Sequence, residues 1–225
     1  MSKILNIETS TSQSSVAISV DSQVIAFKTL SPELNISGEI TLLIQSAANE
    51  AQIPLHSIDA VAINLGPGSY TSLRVGLSAA KAICYALNVP LIGTDTFEIL
   101  YKSVEDESAY DTIMCMVDAR RMDVYARIYD AITNHFEKDE FVTMDEAFFS
   151  LYAGKQILRT GDGAKKLSGT SYLPESSKIS EITQNAAMMA TISHEKYNNG
   201  TLLDIAYSVP YYFKSPNITT PKNIF

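Results

Sequence analysis

The chain is poor in the residues that most enzymes use for metal or nucleophilic chemistry. It has 3 histidines and 2 cysteines in 225 residues, and its 17 Lys and Arg are outnumbered by 25 Asp and Glu. Each shortage removes a class of function. Cys84 and Cys115 lie inside apolar runs without Cys-x-x-Cys or Cys/His spacing, so they read as reduced structural thiols rather than a disulfide framework or a zinc site. That usage fits a reducing, cytoplasmic setting. His56, His135 and His194 are scattered, with no i, i+4 pair for a metal helix, and there is no Gly-x-Ser-x-Gly elbow. No metal and no cofactor is expected from this set. The net charge of −8 repels phosphate at long range, which argues against standalone binding of tRNA or DNA. No apolar run reaches the roughly 18 to 20 residues of a membrane helix. The opening Met1-Ser2-Lys3 runs directly into a strand-like pattern, so neither signal peptide nor anchor is expected.

What is present is a globular composition, 46% hydrophobic and 19% charged, enough for a sizeable core. Residues 4–7 read as a buried strand, and 15–20 with 23–30 read as a hairpin turning at Asp21-Ser22. The period then becomes helical. Ile40, Leu43, Ile44, Ala47 and Ala51 share a stripe, with Ser37 as the expected N-cap and Pro54 as the stop. A short apolar strand at 60–65 leads through Gly66-Pro67-Gly68 into a second helix over 71–87, closed by Asn88 and Pro90, and Leu91-Ile92-Gly93 forms another strand. An amphipathic helix at 96–104 runs into the acidic stretch Glu105-Asp106-Glu107. Beyond it the order repeats in outline: strands at 112–117, 124–129 and 136–142, a helix at 144–152, a strand at 156–159 and a helix at 185–197. Two successive three-strand units argue for a duplicated α/β architecture, with subdomains at 1–104 and 105–225. The tail 215–225 is polar and is expected to be loosely ordered.

Four strings are candidates for chemistry. Glu8-Thr9-Ser10-Thr11-Ser12 follows the first strand, where a carboxylate and hydroxyls can meet a metal-bound water and phosphate oxygens. It has no glycine for close backbone approach, so a hydroxyl-rich turn with an ordinary surface acid is the simpler reading. Gly66-Pro67-Gly68-Ser69-Tyr70-Thr71, running into Leu73-Arg74-Val75-Gly76, can expose N–H groups to an anion at a helix start. It lacks the Lys-Ser/Thr ending of a P-loop and the Gly-x-Gly-x-x-Gly spacing, and a tight turn with a helix cap is simpler. Asp118, Arg120, Arg121 and Asp123 form a charged cluster at a strand turn, and Gly161-Asp162-Gly163 reads as a turn.

The second helix matters for what it lacks. Between Leu73 and Leu87 its only strongly polar side chains are Arg74, Ser78 and Lys81. A helix apolar all round needs cover on both faces. One face can rest on the sheet; the other requires the first helix or a partner. About 400 Å² of such surface is worth on the order of 10 kcal/mol before entropic costs.

Taken together, Ile4 to Thr11, Gly66 to Thr71 with Leu73 to Gly76, Ala79-Ala80-Lys81, Pro90 to Gly93, Val117 to Arg120 and Pro210-Tyr211-Tyr212 resemble the bacterial TsaB/YeaZ family of tRNA threonylcarbamoyladenosine biosynthesis proteins, relatives of TsaD. The glycine string is close to that family's Gly-Pro-Gly-Ser-Phe-Thr-Gly-Leu-Arg-Ile-Gly. The resemblance implies an actin-like ATPase (ribonuclease H-like) fold of two duplicated subdomains with a degenerate nucleotide site, its vestigial loop being Glu8, Thr9, Ser10 and Thr11. It further implies a non-catalytic scaffold that pairs with TsaD through the two helices of the first subdomain, joins TsaE in a larger complex, meets tRNA only through that complex and dimerises in isolation. TsaD would supply the metal and the catalytic centre for transfer of threonylcarbamoyl to the adenine 3′ of the anticodon. This chain departs from the family in having Glu8 in place of the usual Asp and no histidine near the start of the first helix. Helix periodicity nominates Ile40, Leu43, Ala47, Leu73, Leu77, Ala80 and Cys84 as partner contacts, so Ala80→Glu is expected to abolish assembly of a monomer that still folds. The alternatives are a stand-alone phosphotransferase using Glu8 and the Gly66 turn, a peptidase, and a protein that only homodimerises.

Overall fold

The computed structural model of the chain describes residues 1–213 apart from 12, 32, 120–122, 137–138 and 168. Arg120, Arg121 and the tail 215–225 named above lie outside the described residues.

The first half runs β1 (Lys3–Glu8), β2 (Ser15–Val20), β3 (Gln23–Thr29), α1 (Ile36–Ala51), β4 (Ala60–Asn64), α2 (Tyr70–Leu87), β5 (Leu91–Thr94) and α3 (Thr96–Lys102). The second runs β6 (Thr112–Asp118), β7 (Asp123–Asp130), β8 (His135–Phe136), β9 (Glu140–Thr143), α4 (Glu146–Ser150), β10 (Ile157–Thr160), α5 (Asp162–Lys165), β11 (Ser177–Ser180) and α6 (Met189–Asn198). The sheets have the same plan. In the first, β1 is antiparallel to β2, which pairs with β3, and parallel to β4, which pairs with β5. In the second, β6 stands where β1 does, antiparallel to β7 and parallel to β10, with β11 at one edge and β8 and β9 both on β7 at the other. The duplication expected from element order is therefore a duplication of topology.

Period-two alternation divides the first sheet. Leu5, Ile7, Val16, Ile18, Val61 and Ile63 face outward into a core shared with α1 and α2. Ile4, Ala17, Ala60, Ala62 and Ile92 face the other way, onto Met189 and Ile192 of α6. All strands of the first sheet precede residue 104, but packing crosses that point twice. α6, late in the chain, covers the inner face of the first sheet. α3, from the first half, lays Phe97 and Leu100 on Ile113, Cys115 and Val117 of the second.

Local chemistry differs from expectation at several points. The N-cap of α1 is Asn35, whose side chain accepts from the Ser37 N–H, so Ser37 lies within the first turn as the donor. The strand expected at 136–142 is two short strands, each bonded to a different stretch of β7. The Gly161-Asp162-Gly163 turn opens the short helix α5, and β11 has no alternation to announce it. Among the described residues, no helix is long and apolar enough to cross a membrane, and no group of three or more His, Cys, Asp or Glu is placed to hold a metal ion.

Candidate functional site: a closed polar loop and an open apolar face

β1 ends on Glu8 and its parallel neighbour β4 ends on Asn64, one step beyond the registered pair Ile7 and Ile63. Strand pairing thus brings together two polar side chains 56 residues apart. Glu8, Thr9, Ser10 and Thr11 are all buried, so Glu8 is not the surface acid of the simpler reading. Its carboxylate accepts from the Ser10 N–H and from the Asn64 side-chain amide. The Asn64 amide also donates to Thr96 Oγ1 at 2.9 Å, and Thr96 Oγ1 donates to the Pro67 carbonyl at 2.7 Å. Burial raises the pKa of Glu8; the hydrogen bonds from Ser10 and Asn64 oppose that shift, and the nearby Asp162 carboxylate adds to it. Asp162 is likewise raised, chiefly by burial, while it accepts the Asp118 N–H at 2.9 Å.

The Gly66 turn closes over this loop. Ser69 N–H donates to the Ser10 carbonyl at 2.7 Å. A Cβ on Gly68 would stand 2.4 Å from the Ser10 carbonyl oxygen, and one on Gly76 would stand 2.3 Å from Thr9 Oγ1. Gly68 thus makes room for the Ser10 backbone and Gly76 for the Thr9 side chain. A third segment arrives from the far end of the chain: Gln184 Nε2 donates to Ser10 Oγ at 3.2 Å, and Ala186 N–H donates to Ser15 Oγ at 2.9 Å. Between the Gly66 turn and Ser10 the chain makes the contact itself, through Gly68 and the Ser69 N–H. Thr9 Oγ1 and Gln184 Oε1 are buried there without a hydrogen-bond partner among the described residues.

Elsewhere, Asp118 pairs with Lys166 at 2.6 Å, and Asp123 accepts from Thr143 Oγ1 at 2.7 Å. These two members of the charged cluster brace the second sheet. Burial pushes the Cys84 thiol up to about 11 and raises that of Cys115 further, so neither is a ready nucleophile.

The helices need a correction. Ile40, Ala47, Leu77, Ala80 and Cys84 are buried in the core between α1, α2 and the first sheet, Leu73 is buried beside Gly66, and only Leu43 is partly exposed. The most regular apolar stripe of each helix is the one that pays for its own fold. The side chains left outward are the neighbouring ones: Leu42, 57% exposed, on α1; Ala82, Ala86 and Tyr85, the last 85% exposed, on α2; and Ile83 and Ala79, half-buried between. Periodicity identified the helices and nominated the stripe that faces inward; Leu42 and Tyr85 are the large apolar groups left outside it. Asn64, Thr96 and Gln184 were missed because each joins the loop through pairing or packing at long range.

Residues 33–222 match the family model described as TsaD, tRNA N6-adenosine threonylcarbamoyltransferase. The chain is 34% identical over 112 residues to the tRNA N6-adenosine threonylcarbamoyltransferase of Clostridium kluyveri, covering 43% of this chain and 33% of that protein. It is 29% identical over 147 residues to the tRNA threonylcarbamoyladenosine biosynthesis protein TsaB of Escherichia coli, covering 64% and 63%. Both matches span less than two thirds of the relative's length. Among solved structures, YeaZ from Pseudomonas aeruginosa superposes with a TM-score of 0.73 at 19% identity, over 94% of this chain and 100% of that one. A Bacteroides thetaiotaomicron protein described as having an actin-like ATPase fold and unknown function gives 0.50 at 10% identity, over 84% and 94%. At these identities the likeness is one of fold, and the fold is actin-like.

Proposed function

This chain belongs to the TsaD family, tRNA N6-adenosine threonylcarbamoyltransferase, and within it is of the TsaB/YeaZ type; on that premise we propose that it is a non-catalytic scaffold subunit in the formation of threonylcarbamoyladenosine in tRNA. It docks a TsaD partner on the outer face of α1 and α2 and activates it for transfer of the threonylcarbamoyl group. TsaE joins the larger complex, tRNA is reached only through the assembly, and the chain works in the cytoplasm. In isolation the same face pairs with a second copy.

The observation that carries the reading is the outward apolar stripe of Leu42, Ala82, Tyr85 and Ala86 on two helices that have already buried a full stripe inside. The closed polar loop supports it against a stand-alone phosphotransferase, since Gly68 and Ser69 pack directly on the Ser10 backbone and leave the Gly66 turn closed against the loop. The net charge of −8 agrees with tRNA contact made through a partner.

The test is co-purification with the TsaD of the same organism, read by size-exclusion chromatography with light scattering, alongside calorimetric titration of the chain with ATP. A one-to-one complex is expected, lost in Leu42→Asp and Ala82→Glu at unchanged melting temperature, with no heat from ATP. A complex that survives both substitutions, or ATP binding without a complex, would overturn the reading.

A further inference from the structure

β10 consists of Ile157, Leu158, Arg159 and Thr160, all four buried. Period two sends successive residues to opposite faces of the sheet. Ile157 joins Met114, Phe149 of α4 and Ala164 of α5 on one face, and Leu158 joins Phe97 and Leu100 of α3 on the other. Arg159 therefore shares the face of Ile157. Its registered neighbours are Met114 on β6 and Ile179 on β11. A guanidinium stands where an aliphatic side chain would complete the layer, and the residue is 4% exposed.

What holds this cation is neutral. Arg159 Nε donates to Ser177 Oγ at 2.8 Å, and Nη1 donates to the Ala164 carbonyl at 3.1 Å. Among the described residues no carboxylate forms an ion pair with it. Arg127 is the contrast, held between Asp95 and Asp139. Burial lowers the pKa of Arg159, and no neighbouring charge opposes it; burial acts on Arg127 as well, but there Asp139 and Asp95 reverse the shift. A guanidinium has five N–H groups. The bonds to Ser177 and Ala164 leave one on Nη1 and both on Nη2 without a partner among the described residues. Nη2 is nevertheless not one of the enclosed atoms left unpaired, so it lies at the part of the side chain that solvent reaches.

A buried cation held only by neutral acceptors is costly, and its open N–H groups can offset that cost by meeting an anion. We propose that Arg159 forms an oxyanion-binding site, in which the remaining Nη1 and Nη2 N–H groups take one carboxylate or phosphate group of a small molecule. Ser177 and Ala164 fix the plane of the guanidinium, so its fork is set before the anion arrives. The narrow opening admits a single such group. The inference stands apart from the docking role proposed for α1 and α2.

The test is titration of the full chain with inorganic phosphate and, separately, with acetate, at an ionic strength held constant with sodium chloride. The side-chain Nε–H resonance of Arg159 is followed by nuclear magnetic resonance, and melting temperatures are measured for the unmodified chain, Arg159→Lys and Arg159→Met. A saturable shift of the resonance is expected, with a rise in melting temperature that vanishes in Arg159→Met. Arg159→Lys keeps the charge and loses the fork, and is expected to need about tenfold more anion for half the rise. Saturation at lower acetate than phosphate would assign the site to carboxylates, and the reverse order to phosphates. A resonance that neither anion moves would overturn the site. So would a melting temperature that rises equally in the unmodified chain and in Arg159→Met, which is the response of a general salt effect. Should Arg159→Met fail to fold, the resonance of the unmodified chain and the Arg159→Lys titration still decide.

Discussion

Two regions of the first half reverse the usual sorting of polar and apolar side chains, and they do so in opposite senses. In the loop after β1, a carboxylate and three hydroxyl residues are buried. On the outer face of α1 and α2, Leu42 and Tyr85 stand in water. The polar inversion is resolved within the chain for Glu8 and Ser10, to which Asn64, Gln184 and Ser69 supply partners, while Thr9 Oγ1 stays unpaired among the described residues. Among the described residues the apolar inversion has no such internal resolution, since α1 and α2 already cover the sheet with their other stripes. A polar group can be satisfied by a few well-placed neighbours, whereas an apolar face requires area. The first region is paired mostly within the chain, and the second is left exposed.

The comparison breaks most decisively at Ala80. Buried between α2 and the first sheet, it has no room for a carboxylate, and Ala80→Glu is expected to cost about 4 kcal/mol or more and to unfold the chain rather than merely to block assembly. Circular dichroism and urea unfolding read this directly; a native melting curve would return Ala80 to the docking face. Smaller effects sharpen the closure of the loop. Gly68→Ala and Gly76→Ala push a methyl group into Ser10 and Thr9, for an expected loss of about 1 to 3 kcal/mol each. Gly38→Ala, where a Cβ meets nothing within 4 Å in the first turn of α1, is the control and is expected to be neutral or to stabilise by about 0.5 to 1 kcal/mol. Equal effects at all three sites would show that the loop is not closed by contact.

The smallest effect is one of pH. Burial raises the pKa of Glu8 above its ordinary value of 4.5. Below that value both folded and unfolded chains hold the proton, and Glu8 contributes no pH dependence. As pH rises above it the unfolded chain ionises first, so stability falls with rising pH until the folded carboxyl has also ionised. Glu8→Gln removes this fall. Its stability relative to the parent is expected to climb between pH 4.5 and neutrality in chemical-denaturation curves. A constant difference over that range would mean that the local hydrogen bonds hold Glu8 ionised as readily as water does.

Much of the plan was legible in the residues. Alternation in β1 and β2, the Asp21-Ser22 turn, the helical stripe of α1 and the Asn88 stop of α2 are short-range features, and the elements formed where those signals lie. What local pattern missed was short or polar: β11 with its four residues Ser-Lys-Ile-Ser, α5 opening at Asp162, and the division of the strand at 136–142. At four or five residues an element has too few positions to show a period, and its existence depends on the neighbour it pairs with. The glycine string was legible as a turn before a helix. That it faces Ser10 was not, because the contact joins segments that only the parallel pairing of β1 and β4 brings side by side.

The sequence by itself determined the α/β class, the two successive three-strand units, the two apolar helices and the scarcity of catalytic groups, since all of these rest on residue type and on periods of two and 3.6 that the backbone imposes locally. Tertiary structure alone decided which stripe of α1 and α2 turns inward, that Glu8 is buried, and that α3 and α6 each pack on a sheet of the other half. The physical reason is that both sides of an apolar helix satisfy the same period. Only the sheet and the neighbouring helix, arriving from distant parts of the chain, choose between them.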